Sequence, residues 1–211
     1  MPELAIKLAI KGFIIGILVS APMGPVGMLC IQRTLGKGRR HGFVSGLGAA
    51  LSDVFYAALT GLSVGLIDDF INKYQEPINI FGCIVLGVFG FVIFRSNPTK
   101  NLKKRGESKT TYLRDFITAF LLTLSNALIV FLFIGLYARF TFALPADSLF
   151  NILYGLGGVA SGAVVWWFMI TYLVSKMRRW FNNTGILILN KTVGIIILIL
   201  SVAGIIFSYF P

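Results

Sequence analysis

The 21 residues from Gly12 to Gln32, GFIIGILVSAPMGPVGMLCIQ, carry no charge and lie between Lys11 and Arg33. A helix needs roughly 17–25 apolar residues to cross a hydrocarbon core, so this run reads as a membrane span. Its interior holds Pro22, Gly24, Pro25 and Gly27. Proline removes a backbone donor and clashes with the preceding turn, so the helix is expected to break or kink there. The break lies about ten residues past Gly12, about 15 Å deep at 1.5 Å per residue. That depth is the bilayer midplane, where irregular backbone is tolerated only if protein or a water-lined cavity covers it. A plain packing kink is the alternative.

The same pattern recurs along the chain. Uncharged runs stretch from Glu76 to Arg95, from Asp115 to Arg139, from Asp147 to Lys176, and beyond Lys191. Two shorter runs on either side of Asp53 fuse into one span over about residues 43–66 if Asp53 is accepted inside the membrane. Charged residues make up 13% of the 211-residue chain, against about 25% in soluble domains; mean hydropathy is +0.84. The segments are apolar on all faces, which excludes a soluble bundle. They lack clean period-two alternation, which argues against a β-barrel. The expectation is an all-α integral membrane protein with about six transmembrane helices. The N-terminal region resembles a signal peptide up to Val19-Ser20-Ala21, but the apolar run continues past Pro22, so a retained first helix is expected. Cys30 and Cys83 fall within apolar runs and read as packing residues.

The net charge of +11 invites a nucleic-acid partner, yet topology explains it. Lys and Arg accumulate in cytoplasmic loops. Here 15 of the 19 basic residues fall in three loops, after the first, third and fifth spans. Those loops are therefore expected in the cytoplasm, with both termini outside. Residues 96–114 form the basic linker, with Asn97-Pro98 as a turn signal, and its charges suit anionic lipid heads. The stretch around Arg178, Arg179 and Trp180 reads as interfacial.

Weak repetition relates the two sides of this linker. Gly46-Leu47-Gly48 with Ser52 aligns with Gly155-Leu156-Gly157 with Ser161; Ser20 aligns with Thr123, and Pro22 with Ser125. The expected organisation is a three-helix repeat over 1–95, the linker over 96–114, and a second repeat over 115–211. An odd number of spans per repeat inverts the second one, as in many secondary transporters, whose sites lie at the repeat interface.

The candidate chemistry follows from depth. Asp53 lies about ten residues into its span, where an acid costs roughly 2.5–3.5 kcal/mol on insertion scales and commonly marks an ion or proton path. Tyr56, at i+3, shares its face. Ser125 and Asn126 sit at similar depth in span four; the bland reading is helix–helix glue. Trp166, beside Trp167, offers a cation–π wall or simple packing. Gly12/Gly16, Gly42/Gly46 and Gly158/Gly162 read as close helix contacts or a homodimer face. His41 is the only histidine. No metal cluster, phosphate loop or nucleophile–histidine pair is present, so neither an enzyme nor a cofactor is expected.

Pro22-Met23-Gly24-Pro25, Gln32-Arg33, Gly36-Lys37-Gly38-Arg39-Arg40, Gly46-Leu47-Gly48 and Asp53 resemble the lysine exporter (LysE/RhtB) translocator family. The resemblance is specific over about residues 20–60; Asn126 and the Gly/Trp pattern of span five also fit. It implies a bacterial inner-membrane exporter of amino acids or similar small solutes, driven by a proton or ion gradient. It also implies roles for Pro22, Gly24, Pro25, Asp53 and Asn126. Two departures stand out. Met23 interrupts the family's Pro-Gly-Pro, and Ala127 replaces the proline of its Asn-Pro, so span four is expected to be less broken than usual. Two other readings stay open: a metal or inorganic ion exporter, and a non-transporting membrane scaffold.

Overall fold

The computed structural model describes residues 2–22, 24–65, 75–97, 111–126, 128–140, 142, 149–177 and 183–209. Among the described residues every regular element is an α-helix: α1 (Pro2–Ser20), α2 (Pro25–Lys37), α3 (Arg39–Gly65), α4 (Gln75–Arg95), α5 (Tyr112–Leu124), α6 (Leu128–Phe140), α7 (Leu149–Lys176) and α8 (Asn183–Tyr209). Most of the basic linker, Met23, Ala127 and the stretch around Trp180 lie outside the described residues.

Among the described residues, three helices are long and apolar enough to cross a membrane alone, over Arg39–Gly61, Leu149–Lys176 and Thr184–Ile206. Two bent pairs are each long and apolar enough to make one further span when taken together. Glu3–Ser20 and Pro25–Lys37 meet at 78°, and Tyr112–Leu124 and Ile129–Phe140 meet at 70°. The sixth apolar helix is α4, apolar over Ile80–Arg95 but shorter than a full span. The outer faces are apolar too: Phe55 and Leu59 of α3, Ile84 and Val88 of α4, and Ile199 and Val202 of α8 are exposed. Water would penalise such faces, whereas lipid matches them.

Without a hydrophobic drive between helices, membrane interfaces rely on small residues and close backbone approach. The glycine pairs serve that purpose within this chain. A Cβ on Gly12 would strike the Gly155 carbonyl, and one on Gly16 the Val159 carbonyl. From the other side, Gly158 meets Ala9 and Gly162 meets Phe13. Both series rise together, so α1 and α7 run parallel. Along α3, Gly48 meets the Phe116 carbonyl and Ser52 bonds the Phe120 carbonyl at 2.8 Å, so α3 and α5 also run parallel. α4 and α8 run antiparallel: Ser201 Oγ donates to Cys83 O at 2.7 Å, and Asn190 Nδ2 donates to Ile93 O at 2.8 Å.

One residue, Gly38, separates α2 from α3. Its φ of 100° lies where side chains with a Cβ are strained, which permits the abrupt reversal. At the other end of α2, Gly24 is the N-cap and Pro25 takes the first helical position, where its missing N–H costs nothing.

Candidate functional site

α1 ends at Ser20, and the chain then passes through Ala21 and Pro22 before α2 begins. Ser20 Oγ donates to Asp53 Oδ2 at 2.8 Å, and both residues are buried. Asp53 stands at the midpoint of the 27-residue α3, so the hydrogen bond fixes the level of the break at mid-helix. No cation pairs with Asp53 among the described residues. Burying a carboxyl this deep is costly without a partner, and a single hydroxyl is a thin shell for it.

The break exposes backbone. Gly24 N bonds Pro22 O at 2.9 Å, closing a tight turn. Gly24 and Pro25 are exposed and Pro22 half-buried. The first turn of a helix leaves its N–H groups without intrahelical partners, and α2 begins five residues after Ser20, whose hydroxyl bonds Asp53. Nothing lies within 4 Å of a Cβ built on Gly24, and its φ is −76°. Gly24→Ala should therefore leave the unfolding free energy of the purified protein within about 0.5 kcal/mol of wild type. A clear loss of stability would mean that the turn is tighter than this geometry.

Span four is bent 70° although Ala127 stands where the family's proline is expected. Thr123 Oγ1 bonds Ala119 O at 2.9 Å and Ser125 Oγ bonds Leu121 O at 2.8 Å. Such back-bonding hydroxyls loosen and bend helices. Asn126 N then reaches Thr123 O at 2.9 Å, and Ile129 N reaches Asn126 O at 3.1 Å, so a turn replaces the helical ladder. α3 holds this break as well, because Tyr56 Oη donates to Leu124 O. Asp53 and Tyr56 thus tether the ends of α1 and α5 to one helix.

The remaining expected residues fall differently. Ser125 is exposed and its hydroxyl is bonded within its own helix. Asn126 is half-buried at the turn. Trp166 and Trp167 are both buried, and neither indole N–H has a hydrogen-bond partner. Gly46 packs directly on the Trp167 ring. Both tryptophans are packed in the interior with their indole N–H donors spare.

Sequence reasoning missed a second polar centre. Asp115, in the first turn of α5, is fully buried. Arg33 Nε lies 3.1 Å and Lys37 Nζ 3.7 Å from its Oδ1, and His41 Nδ1 lies 2.6 Å from its Oδ2. Arg33 also donates to Ser45 Oγ at 2.8 Å, Asp115 O at 2.8 Å and Thr118 Oγ1 at 2.6 Å. Tyr112 stacks on the His41 ring at 4.4 Å. The available signal was an acid entering an apolar run straight after a basic linker.

A family model described as LysE type translocator matches residues 17–206. A relative from Bacillus subtilis (strain 168), bearing the name "Putative amino acid efflux protein YcgF", is 27% identical over 199 residues, which is 93% of this chain and 92% of that one. No solved structure matches.

Proposed function

Because the chain belongs to the LysE type translocator family, we propose that it exports amino acids or similar small solutes by alternating access, driven by a proton or ion gradient. It is a multi-pass membrane transporter, not an enzyme. Its location is the inner membrane, with the basic loops in the cytoplasm and both termini outside. The two repeats span 1–95 and 115–211 around the 96–114 linker. The parallel pairs α1/α7 and α3/α5 support this inverted arrangement, because exchanging the repeats maps one pair onto the other.

The observation that carries the reading is the Ser20–Asp53 hydrogen bond at the level of the first break. It joins a buried carboxyl to the last residue of α1, where the broken backbone begins. Pro22, Gly24 and Pro25 shape the break, whose amides receive the substrate carboxylate. Asp53 holds the coupling proton or cation. Asn126, Ser125 and Trp166 line the second half of the route, and Tyr56 keeps the second break in register. Basic loop residues meet anionic lipid.

Efflux of a panel of labelled amino acids from preloaded proteoliposomes, with and without an imposed pH gradient, tests the function. Gradient-dependent loss of one solute class is the expected result; no efflux of any amino acid by correctly inserted protein would overturn it. Tyr56→Phe removes one tether of the second break. A hydrogen bond between membrane helices contributes roughly 0.6–2 kcal/mol, so efflux should fall about 3- to 30-fold while insertion stays normal. An unchanged rate would show that the tether does not serve transport.

A further inference from the structure

We propose that α2 is the gate on the basic side of the membrane and that Asp115 is the latch that holds it closed, an inference that rests on the exporter reading above. α2 is bent 78° away from α1 and packs against α3, α5 and α7. It therefore lies across both parallel pairs instead of belonging to one. Each end of α2 is a pivot. At one end is the Pro22–Gly24 turn, where a Cβ on Gly24 would touch nothing; at the other is the lone Gly38 with its φ of 100°. α1 has no such freedom, because its glycine face is locked against the α7 backbone.

What fastens α2 to α5 is charge. Arg33 and Lys37 reach one oxygen of Asp115, His41 of α3 reaches the other, and Arg33 adds bonds to Ser45 and Thr118. The Arg33 side chain is 11% exposed and that of Asp115 is 0% exposed. An Arg with several of its donors engaged around a buried carboxylate is a directional, geometrically fixed contact. It is also a contact between groups 82 residues apart in sequence, joining α2 to the start of the other broken span. Releasing α2 requires both of its cations, Arg33 and Lys37, to leave Asp115 together while His41 of α3 keeps its place, so the cluster gives α2 two discrete positions. Asp115 is a positioning residue here: it acts through α2 and does not touch the substrate.

The two native cysteines report on this motion. Cys30 lies on α2 and Cys83 on α4; their exposures are 0% and 1%. Inside-out vesicles would be treated with a membrane-impermeant maleimide, and each cysteine's labelling rate would be followed by peptide mass spectrometry. In Asp115→Asn, Cys30 should react at least fivefold faster than in wild type while Cys83 does not change. Arg33→Gln should act in the same direction, and Asp115→Glu, which keeps the charge, should leave Cys30 protected. Unchanged Cys30 labelling in both neutralised variants would overturn the latch. So would a parallel rise at Cys30 and Cys83, because that is general loosening and not a local release. The readout needs no transport: the expected labelling pattern in a protein that moves no solute would uphold the latch and remove the exporter reading instead.

Discussion

Asp53→Asn abolishes gradient-driven efflux, at least about 100-fold, and leaves membrane insertion and monodispersity intact. The substitution keeps the size of the side chain, and its amide oxygen can still accept from Ser20 Oγ, which now donates to Asp53 Oδ2 at 2.8 Å. What it removes is the ability to exchange a proton or hold a cation. A hundredfold loss corresponds to about 2.7 kcal/mol in the limiting barrier, modest for a group on which the proposed coupling depends. The same change relieves the insertion penalty of a buried acid, roughly 2.5–3.5 kcal/mol, so the thermal midpoint should stay level or rise. The measurement is efflux from proteoliposomes with an imposed pH gradient, alongside unfolding in detergent. Wild-type efflux by the variant would take Asp53 out of the mechanism. Lost efflux with a lowered midpoint would assign it a structural role.

Gly16→Val prevents the folded state from forming. The Cβ at this position would strike the Val159 carbonyl and crowd the Ala163 amide. Both obstacles are backbone, so neither can rotate away. Overpacking with side chains that can adjust costs about 1–3 kcal/mol, and parting two helices along a parallel seam costs more. The expected result is aggregated protein, or a thermal midpoint depressed far below wild type, by gel filtration and thermal unfolding. Gly157→Ala is the matched control: it lies on α7 near the same seam, is exposed, and has no atom within 4 Å of a built Cβ. If the two variants behave alike, the α1–α7 seam is not what holds these helices together.

Much of the architecture was readable because bilayers impose few options. Most of the apolar runs had the right lengths, α4 falling short, and Pro22 with Pro25 placed the first break where α1 ends. Asp53 stood out as an acid in an apolar field. The second break was harder, since sequence logic looked for a proline. The bend comes instead from hydroxyls on Thr123 and Ser125 that bond their own helix, and from the turn at Asn126. Serine and threonine occur in straight helices too, so their presence alone decides nothing.

The Asp115 cluster was illegible for a different reason. Arg33 and Lys37 look like any other cytoplasmic anchor, because the charge asymmetry that reports topology uses the same residue types as an ion pair. Only the fold shows that α5 begins beside α2, bringing Asp115 to residues more than 70 positions away. The glycine pairs announced close contact without naming the partner. The tryptophans announced aromatic bulk without saying that Trp166 and Trp167 would be buried with their N–H groups unpartnered.

The parallel seam of α1 with α7 has a consequence for how the protein is made. Gly155, which receives Gly12, lies about 140 residues later in the chain. At synthesis rates of about 5–20 residues per second, the first helix waits roughly 7–30 s in the bilayer before its partner leaves the ribosome. During that interval its bare glycine face is open to lipid, to an insertion chaperone, or to the same face of a neighbouring nascent chain. Assembly therefore closes from the far end of the gene backwards, and a message truncated before α7 leaves the first helix with nowhere to dock.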